Sequence, residues 1–259
     1  MRIPIYQIDA FTDTQFQGNP AAVCPLDNWI EDDLMQKIAA ENNLSETAFF
    51  VKQPGGYALR WFTPKNEVDL CGHATLASAY VIFTYLAPDL AAIQFHTLSG
   101  VLEVTREGGL LAMIFPARPG VRCDAPEALL KGLGKPPLAV FKSRDYMAVY
   151  ASEQDVLDLQ PEMDELKKLD ALGVIATARG NSVDFVSRFF APNAGVPEDP
   201  VTGSAHSTLI PFWSEQLDKT DLLARQVSTR GGTLYCTNLG ATVKMRGAAA
   251  PYLEGFINV

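Results

Sequence analysis

Cys71-Gly72-His73-Ala74-Thr75 and Thr202-Gly203-Ser204-Ala205-His206 are the two stretches on which the fold turns. Each puts a glycine among small and polar residues at the head of a long apolar segment. Working outward, Arg60-Trp61-Phe62-Thr63-Pro64 upstream of the first is echoed by Arg188-Phe189-Phe190-Ala191-Pro192 upstream of the second. Downstream, Thr97-Leu98-Ser99-Gly100-Val101-Leu102 is echoed by Thr229-Arg230-Gly231-Gly232-Thr233-Leu234. Three echoes in one order at a nearly constant offset read as an internal duplication. The expected organisation is a first domain over residues 1–116 and a second over 117–259, with the chain end free to pack back on the first.

The pattern within the first half is clear. Ile5–Phe11 alternates and then meets Asp13 and Gly18-Asn19-Pro20, so it reads as a strand entering a loop. In Asp32–Asn42, Leu34, Met35, Ile38 and Ala39 recur at helical spacing behind two acids, which predicts an amphipathic helix. Glu46–Lys52 and Tyr57–Thr63 form a hairpin around Pro54-Gly55-Gly56. From Gly72 to about Tyr85 the chain is small and apolar all round, the signature of a buried helix. A second hairpin turns at Ser99-Gly100, and Leu110–Phe115 adds a strand. In the second half a helix is expected from about Gly203 to Leu217, with Pro211 inside it. A solvated outer helix is expected over Pro161–Leu169. The fold class is therefore α+β: two pseudo-symmetric domains, each a curled β-sheet around a central α-helix, with the active site in the cleft between them.

Composition narrows the function. The chain has 259 residues, 47% of them hydrophobic and 20% charged, which is globular material. A formal charge of −9 argues against nucleic acid or an anionic membrane as partner. Met1–Phe11 has no apolar core of the secretory kind, and the longest apolar run, Ala74–Ala87, falls short of the roughly 20 residues a bilayer requires. Four cysteines without a C-x-x-C pair form neither a disulfide framework nor a zinc site. A cytoplasmic protein with a small-molecule partner is expected.

The two helix starts are the first candidates for chemistry. A helix N-terminus presents unpaired N–H groups and the positive end of the dipole, and both favour a carboxylate or phosphate. A side-chain cap from Thr202 or Ser204 is the competing explanation at the second start. Glu46 stands where a helix gives way to a strand heading into the core; an exposed loop acid is the alternative. Asp199, in Glu198-Asp199-Pro200, reads either as a site residue or as a turn acid complementing the helix dipole. His73 and His206 stand at related places in the two repeats and read as site or structural residues.

Asn19-Pro20-Ala21-Ala22-Val23, Ser45-Glu46-Thr47-Ala48-Phe49, Cys71-Gly72-His73-Ala74-Thr75 and Glu198 through His206 together resemble the phenazine-biosynthesis isomerase-like (PhzF-like) family, of the diaminopimelate-epimerase-like fold. The resemblance implies a cofactor-independent isomerase, without metal, that moves a proton on a small carboxylic acid. It implies that Glu46 is the general acid/base and that His73 and Asp199 complete the catalytic set. Ser45, Gly72, Gly203 and Ser204 match the substrate-binding positions, and a homodimer is implied. Related racemases use a thiol at each helix start. This chain has Cys71 at the first and Thr202, a poor base, at the second. A cysteine-assisted amino-acid epimerase and a non-catalytic ligand-binding relative are the other two readings.

Overall fold

A computed structural model describes residues 1–259. The chain divides into two units, Met1–Ile114 with Arg246–Val259, and Phe115–Met245. The elements of the first unit are β1 (Arg2–Ala10), β2 (Asn19–Leu26), α1 (Asp32–Asn42), β3 (Glu46–Gln53), β4 (Gly56–Phe62), β5 (Glu67–Val68), α2 (Gly72–Val81), β6 (Ala92–Thr97), β7 (Gly100–Glu107) and β8 (Leu110–Pro116). In the second follow β9 (Val121–Cys123), α3 (Glu127–Leu133), β10 (Ala139–Lys142), β11 (Tyr146–Val149), α4 (Glu153–Leu157), α5 (Met163–Leu166), β12 (Val174–Arg179), β13 (Phe185–Ala191), β14 (Val196–Asp199), α6 (Gly203–Leu217), β15 (Asp221–Gln226), β16 (Gly232–Asn238) and β17 (Thr242–Gly247). The last strand, β18 (Ala249–Asn258), runs antiparallel to β1 from Arg2↔Asn258 to Ala10↔Ala249. The final residues thus belong to the first unit and do not close the second, because β1 offers them a full-length partner.

Strand pairing exposes the duplication. In the first unit β2 runs parallel to β3, β3 antiparallel to β4, β4 parallel to β6 and β6 antiparallel to β7. The second unit repeats this with β11, β12, β13, β15 and β16. Short β5 pairs with β4 just before α2, and short β14 pairs with β13 just before α6. The α+β class and the pseudo-symmetry expected from the sequence are both observed. The arginines of the repeated motif explain its recurrence. Arg60 grips Glu67 with Nε and Nη2, each bond 2.7 Å, and Arg188 grips Glu198 with bonds of 2.8 and 2.9 Å. In both units a bidentate pair fastens the short strand ahead of the central helix.

The central helices are buried as their composition requires. In α2, eight residues from His73 to Val81 are buried, and the helix packs on β1, β2 and β3. Helix α1 supplies Met35, Ile38 and Ala39 to a separate cluster with Ile3, Cys24, Phe49 and Phe62. Each large apolar side chain so buried contributes roughly 1.5–3 kcal/mol. Helix α6 packs on β15 and β16 and runs through Pro211 to Leu217.

Two local expectations are corrected. The α-helical run from Gly72 stops at Val81 and continues as a single π-helical stretch, Ile82–Leu86, closed by the Ala87 N–H on the Ile82 carbonyl. The solvated helix over Pro161–Leu169 shrinks to α5, Met163–Leu166. Leu166 and Leu169 turn inward and join the buried cluster that includes Leu129 and Leu133 instead. Gly132 makes room for this, since a Cβ there would meet Leu166 Cδ2 at 2.3 Å.

Candidate active site

In the first unit the parallel pairing of β2 with β3 places Ala21 opposite Glu46, with Asn19 at the start of β2. Helix α2 begins at Gly72 on an extended Cys71 that provides no side-chain cap. His73 is the second residue of the helix and is buried. Its Nε2 lies 3.1 Å from Glu46 Oε2, and its Nδ1 lies 3.1 Å from Asn19 Nδ2. If the Asn19 amide donates to Nδ1, the imidazole proton sits on Nε2; an imidazolium carries one there as well. In either charge state a proton on His73 faces Glu46. Glu46 Oε2 is buried, and His73 Nε2 is the polar group that faces it. Ser45 precedes Glu46 in the turn before β3 and is half-buried.

Cys71 completes the cluster. Its Sγ is 3.5 Å from His73 Nδ1 and 4.0 Å from Nε2. Burial, followed by the charge of Glu46, pushes the thiol up to about 11, so it is protonated at neutral pH. Burial opposes charging of His73, but the Cys71 sulfur and the Glu46 carboxylate, in that order, hold its pKa well above the usual imidazole value. Donor atoms of Glu46, Cys71 and His73 lie within 4.8 Å of one another, so together they are the group that could hold a metal. The sulfur, however, is nearly equidistant from both ring nitrogens and therefore lies off the lone-pair direction of either. That arrangement, with a protonated thiol, suits proton handling better than tetrahedral ligation. Thiol reagents are expected to modify half-buried Cys123 first and to leave Cys24, Cys71 and Cys236, all buried, largely untouched. Peptide mapping after brief alkylation checks this; prompt labelling of Cys71 would show that its thiol is neither buried nor suppressed.

In the second unit Thr202 takes the place of Cys71, Gly203 that of Gly72 and Ser204 that of His73. Helix α6 has no side-chain cap, so neither Thr202 nor Ser204 satisfies its start in the way a capping residue would. The Thr202 hydroxyl donates to Asp199 Oδ2 instead. Asp199 is half-buried, and its turn is held by Gln226, which accepts from Thr202 N–H at 2.9 Å and donates to the Asp199 carbonyl at 2.7 Å. Neighbouring Glu198 is committed to Arg188.

His206 does not stand where His73 does. It holds the place of Thr75, three residues after the helix-start glycine, and performs the same task. Thr75 Oγ1 bonds the Cys71 carbonyl at 2.5 Å, and His206 Nδ1 bonds the Thr202 carbonyl at 2.8 Å. His206 is structural, and burial pushes its pKa down to about 4 from 6.5. Between those values the unfolded chain binds a proton that the folded chain refuses. The His206 contribution is therefore intact above pH 6.5 and is lost as pH falls toward about 4, by up to about 1.4 kcal/mol per pH unit. The gap in unfolding free energy between wild type and His206→Gln should narrow across that window in urea titrations. A constant gap would contradict a neutral buried imidazole.

Asn19, Gln226 and Arg144 escaped the reading of candidate site residues. Gln226 did carry a signal: it follows Leu222 and Ala224 at period two, on the inward face of β15, where an uncharged polar residue demands partners. Arg144, whose Nη2 donates to Ser204 Oγ at 2.8 Å, carried none, because its turn lies far from α6 in sequence.

Comparison with known proteins fixes first the fold and then the family. The chain shares its fold with a hydroxyproline epimerase of Agrobacterium vitis, with a TM-score of 0.63 over 99% of this chain and 92% of the other, at 7% identity. A PhzF-family phenazine biosynthesis protein of Enterococcus faecalis superposes with a TM-score of 0.97 at 45% identity over the whole of both chains. The chain belongs to the phenazine biosynthesis-like protein family, whose PhzC-PhzF model matches residues 8–255. A Pseudomonas aeruginosa protein named as an uncharacterized isomerase is 51% identical over the whole of both chains, and by this kinship the present chain is an enzyme of the isomerase class.

Proposed function

We propose that the protein is a cofactor-independent isomerase that moves a proton between two carbons of a small carboxylic acid, with Glu46 as the single acid/base. The observation that carries this reading is Glu46 Oε2, buried and 3.1 Å from a proton-bearing His73 nitrogen, which leaves the second carboxylate oxygen to face a substrate. In this reading Gly72-His73 and Gly203-Ser204 each offer helix N–H groups to a substrate carboxylate, and Ser45 and Asp199 orient the ring or chain. Glu46 takes a proton from a carbon conjugated to that carboxylate. The electron pair left behind spreads into the carboxylate, where helix N–H groups stabilise it. Glu46, now a carboxylic acid, returns the proton to a second carbon, and His73 holds the carboxyl group in position throughout. One C–H bond is broken, another is formed and the double bond shifts between them, so the substrate's oxidation level is unchanged and no redox partner is required.

The cysteine-assisted epimerase has one observation on its side, the contact of Cys71 with His73. Its thiol, held at about 11, is a weak source of thiolate at neutral pH. Cys71→Ala should leave deuterium exchange into a carboxylate-activated C–H largely intact. A loss beyond about 10³-fold, within the range for removal of a proton-transfer group, would move the chemistry to sulfur. The working form in this reading is a cytoplasmic homodimer. Light scattering should give twice the 28.2 kDa chain mass, and a monomer at micromolar concentration would count against it. No helix is long and apolar enough to cross a membrane.

A further inference from the structure

We propose that Arg144 is a specificity determinant whose guanidinium receives an anionic group of the substrate beside the start of α6, so that the site selects carboxylates over neutral isosteres. The inference rests on the reading of this protein as a carboxylate isomerase and adds the residue that recognises the charge.

Arg144 lies in the tight turn between β10 and β11. Its Nε and Nη2 both donate to Asp145 Oδ2, at 3.2 and 3.0 Å, and Nη2 also donates to Ser204 Oγ at 2.8 Å. The Asp145 side chain is only 3% exposed, and its second oxygen accepts the Gly173 N–H at 3.1 Å. The turn is pinned to α6 a second time by Ser143 Oγ and Thr208 Oγ1, 3.0 Å apart. The guanidinium is therefore held in one orientation before any ligand arrives, which removes most of the ordering cost of binding. Its remaining nitrogen, Nη1, bonds nothing in the chain, and the side chain stays 33% exposed. A planar cation with one edge fixed by a buried acid and the other edge open is a built receptor for a carboxylate.

Placement against the helix dipole strengthens the case. The first turn of a helix favours acids and disfavours cations. Helix α6 has no acid in its first turn and no side-chain cap, yet it meets an arginine there. Asp145 compensates that charge only on the buried edge. An anion on the open edge would satisfy the guanidinium and the helix N–H groups together. Ser204 uses an oxygen lone pair for Arg144, so its own proton is left to donate to the same anion. The start of α2 has His73 at the place of Ser204, and its hydrogen-bond and ion-pair partners include Asn19, Cys71 and Glu46 but no arginine. Of the two duplicated helix starts, one is thus furnished for proton transfer and the other for charge recognition.

Calorimetric titration with benzoate and with benzamide, isosteres that differ in charge, tests this. Wild type should prefer benzoate by at least about tenfold. Arg144→Met should lower benzoate affinity by about tenfold to a hundredfold, the scale of one charge-assisted bond, and leave benzamide unchanged. Arg144→Lys should fall between the two, and it keeps the test alive if the Met variant folds poorly by circular dichroism. A wild type without preference for benzoate, or a preference that survives Arg144→Met, overturns the proposal. Glu46→Gln separates the two readings. If it keeps the benzoate preference and loses C–H exchange, both stand. If exchange persists in Glu46→Gln while Arg144→Met abolishes the preference, the assignment of the base falls and Arg144 remains the anion receptor.

Discussion

Glu46→Gln should lower the rate of C–H exchange by about 10²–10⁴-fold, the usual share of a general base. The substitution keeps shape and hydrogen-bonding capacity but offers no basic oxygen at neutral pH. The probe is a small cyclic unsaturated acid such as cyclohexa-1,4-diene-1-carboxylate, whose activated methylene exchanges with deuterated solvent. Binding of the probe should change far less, because the carboxylate is received by N–H groups and Arg144 and not by Glu46. His73→Ala should show a smaller but clear loss. It removes the group that faces Glu46 at 3.1 Å without removing the base itself. Full activity in Glu46→Gln combined with its abolition in His73→Ala or Asp199→Ala would place the base elsewhere.

Phe185→Ala should destabilise the protein by about 3–5 kcal/mol, the cost of an aromatic-sized cavity in a packed core. Phe185 is fully buried at the start of β13 and stacks on Trp213 of α6, with ring centroids 5.8 Å apart and planes 6° apart. It also packs on His206, with ring centroids 5.9 Å apart. The contact holds α6 against the sheet that carries it, so the loss should appear both in urea unfolding and as a changed Trp213 fluorescence in the folded state. Less than about 1 kcal/mol, the range of a surface substitution, would mean that the ring is not part of the core.

What the sequence disclosed follows physical range. Helices α1 and α6 were legible to the residue, because an apolar stripe and terminal signals lie within the segment itself. The duplication was legible because Arg60 and Arg188 do the same mechanical work and keep the same neighbours. Strands β10 and β11 were not, since four residues carry too little alternation to distinguish them from loop. That the chain end could pack back on the first domain was expected from the sequence, but the register of β18 on β1 depends on pairing across the whole length of the chain, which no local pattern encodes. Among the candidate residues, Glu46 and His73 come together in the first unit, and Asp199, Gly203 and Ser204 gather around the start of α6 in the second. The equivalence of His73 and His206 failed because two histidines near two glycines look alike in sequence, although only their distance from the glycine decides what they touch. Arg144 was invisible because its partner, Ser204, is distant in the chain.

The most direct measurement is deuterium incorporation into one probe, cyclohexa-1,4-diene-1-carboxylate, followed by NMR for wild type, Glu46→Gln and Cys71→Ala side by side. The single-carboxylate mechanism predicts ready incorporation by wild type and Cys71→Ala and a near-silent Glu46→Gln. Incorporation that survives Glu46→Gln and vanishes in Cys71→Ala would contradict it and assign the proton to sulfur.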